Sequence, residues 1–403
     1  MDVSGFDLAR LTPEFLDDPY PTYRALREQA PAKRMADGSL FLTRHADLSR
    51  IYRDAATFGS GKAAEFRPKF GDTPLYEHHT TSLVFNDPPR HSRVRRLIAG
   101  ALTPRAIAGM EPGLVLAVDA LLDRMGSTGH ATADLIEDYA AAIPIEVIGN
   151  LLGVPPAERG PLRGWSLAIL GALEPVLTPD AAARGNQAVT GFLAYLERLT
   201  ADRRARPGDL EQDVLTRLMQ ADPAGDRLAQ AELLHNCIFL LNAGHETTTN
   251  LIGNALVLLH DHPAERARLL ADPSLLRPAI EEALRYESSN QLGNRATTAA
   301  TEVGGEAYPA GTRITLCIGA ANRDPAAFAD PDRFDIGRTP NRHLAFAAGI
   351  HQCVGMSLAR LEGAVAVGRF LQRFPRYALA GAPVLGMRAR FRGFTHVPCA
   401  LEG

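Results

Sequence analysis

Four cysteines in 403 residues are too few and too scattered for a disulfide framework. They stand at Cys237, Cys317, Cys353 and Cys399, and a reducing compartment suits them. None lies near another, so the spacing also lacks the clustered ligands of a zinc site. Basic excess is missing too. Lys plus Arg number 43 against 46 Asp plus Glu, a net charge of −3, which argues against nucleic acid as the main partner. No apolar run reaches the roughly 18–20 residues that a membrane helix needs. The N-terminus, Met1 to Asp7, is acidic and lacks a basic stretch followed by an apolar one, so no signal peptide is expected. No Ser/Gly-rich linker or charge block divides the chain. One domain over 1–403 is therefore expected, although length alone would permit two.

What is present is one distinctive loop, Phe346-Ala347-Ala348-Gly349-Ile350-His351-Gln352-Cys353-Val354-Gly355. A helical pattern, Met356 to Glu362, follows it directly. Helix N-termini lower thiol pKa, so Cys353 is well placed to be a thiolate and a metal ligand. Haem needs a single axial protein ligand, and thiolate ligation favours O–O cleavage. A buried structural cysteine is the competing reading.

The longest helical pattern runs from Asp226 to His262, about 50 Å at 1.5 Å per residue. Its middle reads Ala243-Gly244-His245-Glu246-Thr247-Thr248. Glycine is a weak helix former, and threonine hydroxyls compete for backbone carbonyls. A local opening of the helix is expected there, with Glu246 and Thr247 on one widened turn able to hold water and relay protons. Upstream, Pro88-Pro89 sets up a helix start, and His91 and Arg95 share a face that suits a pair of carboxylates. Arg93 and Arg96 fall on other faces and read as solvated or as a docking surface. Glu282 and Arg285 are three apart on one helix face, a spacing that usually makes a minor surface pair. Residues 59–89 read as a long irregular loop whose aromatics favour a binding role. Trp165, in an apolar helix, reads as core.

These segments resemble the cytochrome P-450 family, of the soluble bacterial type. Phe346, Gly349, His351, Cys353 and Gly355 are similar to its haem-binding loop, and Ala243 to Thr248 to its oxygen-activation motif. Six such elements occur in the family's order from about residue 19 to the C-terminus. The resemblance implies a mainly α fold with small β-sheets near the N-terminus and around 297–318. Heme b would lie between the long central helix and the cysteine loop. Cys353 would ligate the iron. His351, His91, Arg95 and Arg295 would hold the propionates, with Phe346, Gly349, Gly355 and Ala243 against the cofactor. Gly244 would leave room for dioxygen, and Glu246 and Thr247 would deliver protons. His245 would pack away from the haem. Glu282 and Arg285 become a buried brace for the loop. The loop over 59–89 would cover the substrate, and Leu83, Asn290, Gln291, Leu292 and Phe394 would line its pocket. Two amides at 290–291, with no Pro near Ser289, hint at a polar group on the substrate.

The implied activity is oxygenation of a hydrophobic small molecule by a cytoplasmic monooxygenase. A peroxide-driven peroxygenase and a haem sensor are the alternatives. The chain has no flavin or nicotinamide domain, so a ferredoxin or flavodoxin type donor with its reductase would supply electrons. It would dock on the Cys353 side, with Arg342, Arg360, Arg369 and Arg373 as candidate contacts. One departure stands out. Ala347 occupies a position where many members carry Gly, tolerable if its φ is negative.

Overall fold

The pattern from 226 to 262 folds as one 32-residue helix, Gln230–Asp261, in a computed structural model that describes residues 1–127, 132–208, 213–222 and 225–402. Glu232 closes its first turn by accepting the Ala229 N–H at 3.1 Å. Over Leu251 to Leu259 every residue is buried. A helix apolar on all faces belongs in the middle of a protein. This one packs against the helices Ala142–Leu151, Gly160–Gly171, Pro179–Ala205, Leu276–Tyr286 and Met356–Arg373. The expected opening at Gly244 is absent. The helix runs through without a break, and Thr247 donates its hydroxyl to the Ala243 carbonyl at 2.6 Å. The hydroxyl adds a bond to the turn and displaces none.

Residues 59–89 also differ from the expected irregular loop. They hold two short helices, Ala63–Phe70 and Pro74–Thr81. Gly71, at φ 66°, turns the chain between them, and the Thr73 hydroxyl caps the second by accepting the Tyr76 N–H. Phe66, Phe70 and Leu75 bury in the main core, so tertiary packing stabilises helices too short to stand alone. Pro68 and the two histidines hid their periodicity. Gly126 sits in the last turn of the helix Pro104–Ser127. Trp165 stacks on Phe192 at 5.0 Å between two helices.

The N-terminal β region and the 292–317 region form one five-stranded sheet. Its order is Ala32–Arg34, Leu40–Leu42, Arg313–Cys317, Leu292–Thr297, Phe58–Gly59. Leu40–Leu42 pairs parallel with residues 314–316, and the other pairs are antiparallel. Leu40, Phe41 and Leu42 are all buried, as expected of a central strand covered on both faces. This sheet carries Asn290, Arg295 and residues 292–294 to the wall of an internal cavity. Among the described residues no helix is long and apolar enough to cross a membrane.

Candidate functional site

A cavity lies between the central helix and the cysteine loop, with about 330 Å³ open to the centre of a water molecule. Cys353 is exposed into it. The loop is held by the Cys353 N–H donating to the Phe346 carbonyl at 3.0 Å and by Gly349 at φ 72°. A Cβ at 349 would run into the Tyr52 carbonyl oxygen, so only glycine fits. Burial raises the Cys353 thiol above its ordinary value, against the pull of the Gly355 N–H, Arg95 and Arg360.

Ala347 corrects an expectation. Its φ is +54°, not negative. A side chain in the left-handed region costs roughly 1–2 kcal/mol, and glycine's extra chain entropy returns about 0.5–1 of that. Ala347→Gly should thus stabilise the protein by about 0.5–1 kcal/mol. Denaturant unfolding checks it, and an unchanged or lower midpoint would show that the Ala347 methyl compensates by packing.

One end of the cavity is cationic. His91, Arg95, Arg295 and His351 all line it. The His91 and His351 rings stand 3.9 Å apart, and both His91 nitrogens are buried without a hydrogen-bond partner. Burial, with His351 and Arg95 beside it, pushes His91 down to about 4. Arg95 donates to the Gln352 carbonyl at 2.7 Å, and Arg295 lies 5.0 Å over the Tyr52 ring. Burial works to raise Asp87, but the His351 ring and the Ser60 and Gly61 N–H groups hold it at about 2. Two guanidiniums and two imidazoles with unused nitrogens, beside a cavity-facing sulfur, fit a flat metal group carrying two carboxylates, as heme b does.

On the opposite wall the central helix presents Ala243, Gly244, Thr247 and Thr248. Glu246 faces away from the cavity and pairs with Arg388. Burial pushes its carboxyl up to about 7, with Arg388 pulling down and Glu174 pushing up. The pair expected on one widened turn is therefore split across two helix faces. The space spared by Gly244 is shared with Ile148, whose Cδ1 would lie 2.9 Å from a Cβ there. His245 is buried off the cavity, and burial lowers it to about 4.

Leu83, Asn290 and Leu292 line the cavity; Gln291 and Phe394 do not. Gln291, just ahead of the Leu292–Thr297 strand, turns inward and donates to the Ser288 carbonyl at 2.8 Å. Phe394 lies in the Phe394–His396 strand, paired with Leu385, and Phe391 takes the expected place. The sequence reading does not single out Arg388, Arg390 or Glu362. The run Arg388-Ala389-Arg390-Phe391-Arg392 carried a signal: three arginines at alternate positions beside apolar residues need buried partners. Glu362, at helical spacing in Met356–Arg373, carried none; it lines the cavity, and burial raises it to about 8.

Behind the loop, Glu282 and Arg285 are both fully buried and join through two bonds of 2.8 Å. Three of the expected docking cations are already paired, Arg360 with Glu281, Arg369 with Asp119 and Arg373 with Asp123. Arg342 is exposed. Arg93 and Arg96, expected to be solvated, pair with Glu232 and with Asp222 and Asp226.

Residues 172–376 match the family model described as cytochrome P-450. The chain is 39% identical to cytochrome P-450 107B1 of Saccharopolyspora erythraea, over 97% of both chains. It is 38% identical to the vitamin D(3) 25-hydroxylase of Pseudonocardia autotrophica, over 91% of this chain and 89% of that one. Among solved structures it resembles P-450BioI, determined in complex with an acyl carrier protein ligated to hexadec-9Z-enoic acid. The TM-score is 0.90 at 34% identity, covering 96% of this chain and 100% of that one.

Proposed function

This chain belongs to the cytochrome P-450 family and is a haem-thiolate monooxygenase, and on that premise we propose which of its residues carry the activity. The observation that carries the reading is Cys353 opening into a cavity rimmed by His91, Arg95, Arg295 and His351. Cys353 would ligate the iron, and the two guanidiniums and two imidazoles would hold the propionates. Phe346, Gly349 and Gly355 shape the loop around the sulfur, and Ala243, on the opposite wall of the cavity, would lie against the cofactor. Heme b, when bound, supplies the activation of dioxygen and the oxidising power.

The chain's own residues bind, orient and protonate. Leu83, Leu240, Leu292 and Phe391 exclude water and seat a hydrophobic substrate. Gly244 keeps the helix wall low over the reacting centre. Thr247 passes a proton into the cavity when its hydroxyl turns from the Ala243 carbonyl. Glu246 supplies that proton once its carboxyl leaves Arg388, and a carboxyl poised near 7 is matched to neutral solution. Glu282 and Arg285 keep the cysteine loop in place.

Electrons come from a redox partner, here a ferredoxin or flavodoxin type donor with its own reductase. It docks on the Cys353 side. Arg342 is open to it, and Arg373 can exchange its exposed partner Asp123 at little cost, whereas Arg360 and Arg369 hold half-buried carboxylates. The protein works in the cytoplasm as one domain over 1–403. The shared sheet of residues 32–59 and 292–317 supports that unity.

Reduced and treated with carbon monoxide, the protein should show the red-shifted Soret band of thiolate ligation. Cys353→Ala should lose it, while Cys237→Ala and Cys399→Ala should keep it. An unshifted band in the unaltered protein would overturn the assignment.

A further inference from the structure

The cavity wall carries three guanidiniums, Arg95, Arg295 and Arg390. Its one acidic side chain among the described residues is Glu362, which burial keeps largely protonated at neutral pH. Heme b brings two carboxylates, which match Arg95 and Arg295 beside His91 and His351. Arg390 has no carboxylate in direct contact, although Glu174 and Glu65 lie near enough to favour its charge.

Its setting is rigid. Nε donates to the Leu173 carbonyl at 3.1 Å, Nη1 to the Leu292 carbonyl at 2.6 Å and Nη2 to Asn294 Oδ1 at 2.6 Å. All three acceptors are neutral. No carboxylate stands within ion-pair distance of this guanidinium among the described residues. The nearby Glu174 is already engaged: it accepts the backbone N–H groups of Ala389 and Arg390 and pairs with Arg388. A guanidinium has five N–H donors in a fixed fork, so two remain. The tie to Leu173, past the end of the helix Gly160–Gly171, sets Arg390 at the roof, whereas His351 and Cys353 belong to the loop on the floor. Asn290 lines the same cavity with a buried Oδ1 that has no partner. Leu83, Leu170, Leu173, Phe239, Leu240 and Phe391 give the wall its apolar surface, with uncharged polar side chains such as His78, His79 and Asn242 between them.

Resting on the haem-thiolate reading, we infer that Arg390 is a specificity residue that anchors a carboxylate, so that the substrates are apolar molecules bearing one acid group. A charge taken from water and left unmatched is costly, and a substrate carboxylate offsets that cost through a charge-assisted fork. The anchor fixes one end of the substrate at the roof. Oxidation then falls on carbons held at a set distance from the acid group, over the haem.

The test titrates the haem-loaded protein with matched pairs, dodecanoic acid against methyl dodecanoate and adamantane-1-carboxylic acid against its methyl ester. Binding is read by the Soret shift on water displacement and by calorimetry. The unaltered protein should prefer each acid by on the order of tenfold or more, the scale of a charge-assisted bond. Arg390→Gln, which keeps hydrogen-bond donors, should bind acid and ester alike, and Arg390→Lys should retain a preference. Equal affinity in the unaltered protein overturns the inference. So does a preference that survives Arg390→Gln, or a failure of every acid to bind. Loss of haem from Arg390→Gln, with acid preference unchanged, reassigns Arg390 to the propionates. The carbon monoxide band of each variant reports the haem-thiolate site separately, so failure of that reading and failure of this one are distinguishable.

Discussion

Arg285→Ala is expected to destabilise the protein by about 3–5 kcal/mol, because it removes the fully buried partner of Glu282, leaves that carboxylate to Arg338 alone and strips three carbonyls of their donor. Both partners are 0% exposed, and their two parallel bonds measure 2.8 Å. The guanidinium does more than neutralise Glu282. It also donates to the carbonyls of Asn322, Pro331 and Arg333 at 2.8–3.0 Å. Glu282 in turn accepts the Asp335 N–H, Arg338 Nε and Asn341 Nδ2. One ion pair thus organises the turns from 322 to 341, and these lead directly into the cysteine loop. Lysine has three donors on a single nitrogen and cannot span four acceptor groups, so Arg285→Lys should recover little of the loss. The measurement is denaturant unfolding together with haem content at equal protein concentration. A variant as stable as the unaltered protein, with full haem, would reduce the pair to an ordinary contact.

Thr247→Val is expected to leave folding and haem binding intact while product formation falls on the order of 10²-fold, the usual worth of a positioned proton donor. The substitution keeps shape and removes the hydroxyl that bonds to the Ala243 carbonyl. Electrons should still be consumed, and hydrogen peroxide should appear in solution in place of oxygenated product. The pH dependence separates Thr247 from Glu246. A carboxyl held at about 7 carries its proton below that value and loses it above, so product per electron should fall as pH rises through 7. Glu246→Gln should flatten that profile. Arg388 pulls the carboxyl down, so Arg388→Leu should move the midpoint upward. A profile unaffected by either change would remove Glu246 from proton delivery.

The features legible in the sequence were those fixed by short-range chemistry. The cysteine loop, the central helix and the cationic pair His91 and Arg95 each declare themselves within ten residues or so. The cavity brings all three together. What was not legible depends on direction or distance. Whether Glu246 turns toward the cavity or toward Arg388 is decided by a residue 142 positions away. Gln291 and Phe394 point elsewhere than expected because Gln291 is fixed by distant backbone partners at Arg390 and Ile318, and the register of the final turn by its partner strand. Gly71 and Thr73 mark a helix boundary only once Phe66 and Leu75 are seen to share one core. The positive φ of Ala347 could not be read at all, since alanine is an unlikely choice for that backbone region.

The parallel pairing of Leu40–Leu42 with Ile314–Leu316 has a consequence for how the protein is made. During translation the early strand emerges more than 270 residues before its partner. Its buried Leu40, Phe41 and Leu42 must wait, uncovered, while the helical bulk is synthesised. Contacts of such high sequence separation close late and slowly. Arg295 reaches its position on that same sheet, and Cys353 follows it off the ribosome. The residues that would hold haem are thus brought together only late in synthesis, and an uncovered LFL strand is a segment exposed to aggregation until then.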